Sequence, residues 1–281
     1  MDLVRTPQEM ARVAAAHVAA GRRIGLVPTM GALHHGHATL LDLLRPRCDV
    51  LVVSVYVNPL QFGPTEDLAR YPRTPEADAA LCERHGADAV FLPVDLYPDG
   101  FATSVAVHGL TEGLCGASRP GHFEGVATVV ARLFGVTRAA VATFGEKDFQ
   151  QLMVLRRMVE DLALPVQIVP APLVRDADGL ASSSRNRYLG DAERSRALTL
   201  HRALHAVRDA VAAGERRAEV LVALGRGLVD CDRLDYFELV DARTLRPLPE
   251  VGDAPARALV AAFYGRTRLI DNVAVGAPLA W

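Results

Sequence analysis

Two histidines stand three residues apart in the stretch Pro28-Thr29-Met30-Gly31-Ala32-Leu33-His34-His35-Gly36-His37. Imidazole changes charge near neutral pH, and as a donor or a cation it can stabilise negative charge where a reaction builds it. Gly31 and Gly36 permit a sharp turn and a close backbone approach to a ligand. An apolar run at 24–27 precedes the stretch and reads as a buried strand; residues 38–44 follow with helical spacing. The histidines therefore fall on a strand-to-helix turn. A helix starting near Gly36 aims unpaired N–H groups and the positive end of its dipole at an anion. The plainer alternative is a set of exposed loop histidines or a chance metal site, and the place between strand and helix weighs against it. No phosphate loop of the form G-x-x-x-x-G-K-[ST] occurs in the chain.

The His-x-Gly-His pattern resembles the signature of the nucleotidylyltransferase superfamily, whose members cleave ATP between its α- and β-phosphates. Attack at an α-phosphate builds charge on equatorial oxygens and on departing pyrophosphate. The protein's share of that chemistry is positioning and electrostatic stabilisation.

Three further clusters suit the same chemistry. Asn58 and Gln61 follow an apolar run over 49–57, at the carboxyl end of a strand, where open α/β sheets bind ligands. Their amides donate and accept, which suits a hydroxy acid. Turn chemistry at Asn58-Pro59 explains Asn58 by itself but leaves Gln61 unexplained. A second strand-turn-helix unit carries Gly145-Glu146-Lys147-Asp148-Phe149-Gln150-Gln151. Lys147 is a cation at a helix N-terminus, where the dipole disfavours it, and a bound phosphate resolves that conflict. Asp148 suits the helix N-cap. Gln151 follows one turn in, on the same side as Lys147. The third cluster, Ser182-Ser183-Ser184-Arg185, offers hydroxyls and a forked guanidinium fitted to a triphosphate. The preceding Asp176-Ala177-Asp178-Gly179 invites an EF-hand reading but lacks the ligand ladder and the terminal Glu. His122 reads as ordering a helix entrance rather than as catalytic.

The elements that position these residues form an α/β chain. Thr6-Pro7-Gln8-Glu9 marks a capped helix that runs to Ala20. Strands are expected at 24–27, 49–57, 88–92, 139–144 and 166–174, with helices at about 38–44, 75–85, 122–134 and 149–162. Strand, helix and strand in succession make a right-handed parallel unit. Residues 95–120 are rich in Gly and Pro and could form a flap. Beyond a boundary near Val174 the character changes: helices over 190–213 and 218–230 precede strands at 234–240, 258–263 and 267–270, a small separate sheet. With 281 residues the chain can bury sizeable cores. The formal net charge of −2 and the lack of a basic run disfavour nucleic-acid binding. Cys48, Cys82, Cys115 and Cys231 are widely spaced, which argues against a zinc site or disulfide framework. The N-terminus lacks the pattern of a signal peptide, and no apolar run is long enough to span a bilayer.

Four motifs in order carry a closer resemblance. They are Pro28-Thr29-Met30-Gly31-Ala32-Leu33-His34-x-Gly-His37, Val57-Asn58-Pro59-x-Gln61-Phe62, Phe144-Gly145-Glu146-Lys147-Asp148-x-Gln150-Gln151 and Ser183-Ser184-Arg185-Asn186-Arg187-Tyr188-Leu189. Together with Arg268-Leu269-Ile270-Asp271-Asn272 they make the chain resemble the pantoate–β-alanine ligase family over nearly its whole length. The resemblance implies a Rossmann-like ATP- and pantoate-binding catalytic domain over 1–173 and a smaller α+β lid domain over 174–281. It implies a cytoplasmic homodimer that condenses (R)-pantoate with β-alanine using ATP and Mg2+, through a pantoyl adenylate, with no nucleic-acid or membrane partner. Carried onto this chain, Met30, Gly31, Ala32, Leu33, His34, His35, Gly36 and His37 contact ATP. His34 and His37 stabilise the transition state, and the family makes His37 a proton donor. Gln61 and Gln151 hold pantoate, Gln61 also meets β-alanine, and Asn58 belongs to the same subsite. Gly145, Glu146, Lys147 and Asp148 bind ATP, with Lys147 on the phosphates, and Val174 offers its backbone to adenine. Ser182, Ser183, Ser184 and Arg185 close over the phosphates, with Ser182 standing where the family usually has an apolar residue. No metal ligand is implied in the protein itself. From the residues alone, a simple nucleotidylyltransferase or a nucleotide-sensing module stays open, although neither accounts for Gln61, Gln151 and the second domain together.

Overall fold

The computed structural model of the chain describes residues 1–64 and 66–281. Thr6 Oγ1 accepts from the Glu9 N–H at 3.2 Å and Pro7 fills the first turn, so helix α1 (Pro7–Ala19) begins at the cap that the sequence marks. Two compact units emerge from the chain. One comprises Met1–His108, Arg119–Glu146 and Gln151–Pro172; the other comprises Gly109–Ser118, Lys147–Gln150 and Leu173–Trp281. The boundary read from the sequence near Val174 has its counterpart at Leu173. The two short segments that group with the C-terminal residues carry no compositional mark to separate them from their neighbours.

In the first unit six strands form one sheet: β1 (Asp2–Val4), β2 (Ile24–Thr29), β3 (Val50–Val55), β4 (Ala89–Phe91), β5 (Val141–Gly145) and β6 (Gln167–Ala171). Their order is β1-β4-β3-β2-β5-β6, and every pair is parallel. β3 is apolar and buried along nearly its whole length, as a strand covered on both faces requires. Helix α2 (His35–Leu44) follows β2, and α3 (Pro75–Arg84) leads to β4. Leu41 and Leu44 of α2 pack with Val27, Leu51, Val53, Val90, Val141 and Cys82 in one core. The chain fills the sheet outward from β2 in both directions. The order reverses between β2 and β5, and the crevice beyond the carboxyl ends there is where such sheets bind ligands. Strand β1 has no counterpart in the sequence reading. Three residues carry no periodicity, and this strand exists through its register with β4, Leu3 opposite Val90.

The C-terminal unit is built on an antiparallel sheet, β7 (Arg233–Asp241), β8 (Ala256–Tyr264) and β9 (Thr267–Ala274), with β8 central. The short α4 (Leu114–Ser118) belongs to this unit, as do α7 (Asp191–Ala212) and α8 (Ala218–Leu228). Leu200, Leu204 and Val207 of α7 and Leu221 of α8 bury against Phe237, Val260 and Tyr264 of the sheet. Residues 174–182 double back on themselves: the Ser182 N–H donates to the Val174 carbonyl at 2.9 Å, and Arg175 bridges to Ala181. Arg194 holds the tip, donating to Asp176 at 2.9 Å and to Asp178 at 2.7 Å. Arg175 anchors the base through a forked pair to Asp271 on β9, at 2.7 and 2.9 Å. Asp271 is 3% exposed. Its replacement leaves a guanidinium without its partner, so Asp271→Ala should destabilise the chain by about 3 kcal/mol. A urea titration checks this, and an unchanged midpoint would show that the pair does not anchor the segment.

Candidate active site

The turn after β2 is fixed from below by a buried carboxylate. Thr29 Oγ1 donates to the Ser54 carbonyl at 2.8 Å and accepts from the Gly31 N–H at 3.2 Å. Gly31 and Ala32 then take positive φ values, +86° and +51°. Only glycine adopts the first freely, and a Cβ there would also lie 3.0 Å from Asp78 Oδ2. Asp78 accepts the Ala32 N–H at 3.0 Å, the Leu33 N–H at 2.8 Å and the Thr74 hydroxyl at 3.1 Å. Its side chain is 1% exposed. Sequence reasoning missed Asp78. The available signal was its spacing, four residues before Cys82 on the stripe that α3 turns inward.

The histidines cap the helix that they open. His34 is the N-cap of α2; its Nδ1 accepts from the Gly36 N–H at 3.2 Å. His37 Nδ1 in turn accepts from the His34 N–H at 3.3 Å, which closes a reciprocal capping box. The two ring centroids lie 4.2 Å apart, tilted by 64°, and His35 lies further off, its centroid 5.8 Å from that of His34. This corrects the expectation of unpaired N–H groups aimed at an anion. The N–H groups of Gly31, Ala32, Leu33, His34 and Gly36 all donate to side chains of the turn or of Asp78. A backbone N–H is only a donor, so each Nδ1 presents its lone pair and each neutral ring carries its proton on Nε2.

Beside it, the end of β3 supplies oriented amides. Asn58 is 1% exposed and every polar atom of its side chain is used. Oδ1 accepts from the Leu60 N–H at 3.3 Å and from the Tyr97 hydroxyl at 2.8 Å. Nδ2 donates to the Gly125 carbonyl and to Gln61 Oε1, each at 3.0 Å. Gln61 Nε2 then reaches Met30 Sδ at 3.3 Å. Asn58 thus orients Gln61 and has no polar atom left over for a ligand of its own. Helix α5 (His122–Thr137) backs this turn closely: a Cβ on Gly125 would fall 2.2 Å from the Leu60 carbonyl oxygen. His122 Nε2 faces the Arg119 guanidinium at 2.9 Å, and Nδ1 faces the Gln61 carbonyl at 2.8 Å. Since Arg119 only donates, His122 carries its proton on Nδ1 and gives it to that carbonyl. Arg119 also forks onto Glu66 at 2.7 and 2.6 Å. Burial pushes the Glu66 carboxyl up, but the hydrogen bonds and charge of Arg119 outweigh it and hold the group below the usual carboxylate range. His122 thus ties the start of α5 to the Gln61 carbonyl.

The remaining candidates divide between the units. Gly145, Glu146 and Gln151 belong to the first with Met30, His34, His37, Asn58 and Gln61; Lys147, Asp148, Val174 and residues 182–185 belong to the second. Gly145 ends β5 opposite Ala171. Glu146–Asp148 form a tight 3-10 turn that runs into α6 (Phe149–Asp161). Lys147 Nζ lies 3.9 Å from the Asp148 carboxylate, and Asn272 Nδ2 donates to the Lys147 carbonyl at 3.0 Å. Gln150, also unassigned from sequence, is 5% exposed and holds residues 110–115 through Leu110, Gly113 and Cys115. Ser183 Oγ accepts from the Arg185 N–H at 3.2 Å and caps the 3-10 turn Ser184–Tyr188. Ser182 is buried at the position where an apolar residue is usual, and it hydrogen-bonds Asp176. Burial raises the Asp176 carboxyl, while bonds from Arg194, Ser182 and Asn186 bring it below its ordinary range. The hydroxyl is therefore satisfied inside the fold.

Known proteins are similar to this chain over nearly its whole length. The family described as pantoate-beta-alanine ligase matches residues 2–274. Pantothenate synthetase of Moorella thermoacetica is 50% identical over 278 residues, 97% of this chain and 98% of that protein. The crystal structure of pantothenate synthetase from Thermus thermophilus superposes with a TM-score of 0.92 at 47% identity, covering 99% of this chain and all of the other. A pantoate-beta-alanine ligase from Francisella tularensis, solved with beta-gamma ATP and beta-alanine, gives a TM-score of 0.80 at 29% identity over 98% of this chain and 97% of its own. The chain, with its capped His-x-Gly-His turn and oriented Gln61, belongs to the pantoate–β-alanine ligase family.

Proposed function

We propose that this ligase joins (R)-pantoate to β-alanine in two steps. A pantoate carboxylate oxygen attacks the α-phosphorus of ATP, pyrophosphate leaves, and pantoyl adenylate forms. The β-alanine amine then attacks the acyl carbon, AMP departs, and the amine gives up a proton as the amide of pantothenate forms. The observation that carries this reading is the 3.3 Å contact between Met30 and Gln61. It brings the turn that bears two ring donors against an amide suited to a carboxylic acid. The ATP and β-alanine bound to the Francisella relative support the same substrates.

In this scheme His34 and His37 act through Nε2–H, as hydrogen-bond donors to the phosphate oxygens on which charge builds. An imidazolium at either residue would carry a proton on Nδ1 and lose its capping bond. Gln61 and Gln151 hold pantoate, Gln61 also meets β-alanine, and Asn58 acts by orienting Gln61. Residues 30–37 and 145–148 line ATP, Lys147 and Arg185 meet its phosphates with Ser183 and Ser184, and Val174 and Ser182 contribute backbone. Mg2+ would come with the nucleotide and would offset triphosphate charge. A net charge of −2 favours small-molecule partners over nucleic acid. No helix among the described residues is long and apolar enough to cross a membrane. The homodimer and the cytoplasmic location rest on the family resemblance.

Pyrophosphate–ATP isotope exchange tests the first step. Exchange should require (R)-pantoate and proceed without β-alanine; pantoate-independent exchange, or none from folded protein that binds ATP, would sink the adenylate scheme. Lys147→Ala should slow that exchange by about 10²–10³-fold, the cost of losing one preorganised charge contact. Near wild-type exchange in the variant would remove Lys147 from the phosphates.

A further inference from the structure

We propose that Asp78 is a positioning residue for adenylate formation, acting through the turn that carries His34 and His37. The proposal rests on the reading that these histidines serve that step. Asp78 touches neither ring. It grips the backbone two residues ahead of them, accepting the adjacent N–H groups of Ala32 and Leu33 at 3.0 and 2.8 Å. Ala32 lies between Gly31 and Leu33 at φ +51°, a conformation that a residue with a Cβ rarely adopts. The paired hydrogen bonds hold it there. From Leu33 the chain enters His34, extended at φ −139° and ψ 180°, and begins α2. The direction in which α2 starts, and so the place of both Nε2–H donors, follows from the conformation of residues 31–33.

The residue type matters. A carboxylate is acceptor only and has lone pairs enough for three donors at one point. Here the three come from Ala32, Leu33 and Thr74, and the side chain is 1% exposed. Asparagine has the same shape but must turn an NH2 toward a backbone N–H, so one of the two grips is replaced by a donor facing a donor. The Thr74 hydroxyl fixes which way the carboxylate faces, and Gly31 leaves it room.

The test compares Asp78→Asn with wild type in the two half-reactions. Pantoate-dependent pyrophosphate exchange should fall about 100-fold in kcat, the scale of an ångström-sized misplacement of reacting groups. Aminolysis of supplied pantoyl adenylate by β-alanine should stay within about threefold of wild type, because Gln61 is held by a different network. Imidazole nitrogen NMR adds a readout that loosening of the fold would not move selectively. Both Nδ1 atoms should be unprotonated in wild type, and that preference should weaken at His34 and His37 but not at His122 in the variant. Equal losses in both half-reactions, or unchanged exchange, would overturn the proposal. Should Asp78→Asn fail to fold, Thr74→Val decides, with exchange about fivefold slower and aminolysis unchanged if the proposal holds; exchange at the wild-type rate overturns it. Absence of pantoate-dependent exchange in wild type would instead defeat the two-step reading itself.

Discussion

A parallel strand that ends in a tight turn leaves a row of backbone N–H groups with no sheet partner, and burial makes each of them costly to leave unmade. In this chain the row runs from Gly31 to Gly36. Three kinds of side chain accept from the N–H groups of Gly31, Ala32, Leu33, His34 and Gly36 in it: the Thr29 hydroxyl, the Asp78 carboxylate and the two imidazoles. The answer to a folding problem thereby sets a chemical state. Each imidazole that accepts a backbone N–H at Nδ1 is left with its proton on Nε2, so the capping that starts α2 also makes its histidines donors. A turn lined with free N–H groups would bind anions through the backbone. This one turns five of those groups onto its own side chains and Asp78.

The sheet order then decides what the rings meet. β2 and β3 are neighbours in register, Thr29 opposite Val55, so the turn after β2 and the segment after β3 leave the sheet side by side. Met30 and Gln61 touch for that reason, although 31 positions separate them in sequence. Helix α5 approaches the same segment closely enough to require Gly125, and Asn58 ties it down by donating to the Gly125 carbonyl. Asn58 is thereby fixed by the Leu60 N–H and the Gly125 carbonyl, whose donor or acceptor character cannot change.

Much of this was legible in the sequence because it is local. The Thr6 cap, the strand-turn-helix around His34 and His37, and the parallel strands follow from patterns within a few residues, and four short motifs point to the family. What escaped is what depends on contacts between distant segments. β1 forms only because β4 lies beside it. Asp78 looked like an ordinary acidic residue of a helix's first turn; its partners lie 46 and 45 positions away. Asn58 could be read as turn chemistry or as a ligand group, and its actual place, between a carbonyl on α5 and the amide of Gln61, is not encoded in its neighbours. The sequence reading of unpaired N–H groups at α2 failed for a related reason. It treated the helix terminus as bare backbone, although the motif's own imidazoles were long enough to cap it.

The orientation of Gln61 shows how far fixed groups can carry an argument about specificity. The Leu60 N–H can only donate, so Asn58 turns its oxygen toward it; the Gly125 carbonyl can only accept, so Asn58 turns its nitrogen there. That nitrogen also donates to Gln61, which fixes Oε1 inward and leaves Nε2 directed toward Met30. An amide N–H beside Met30 suits a carboxylate or hydroxyl oxygen as acceptor. It suits an ammonium group poorly, since that group brings only donors. An amide donor at this place matches a carboxylate or hydroxyl oxygen, and so fits the carboxylate of either acid proposed above.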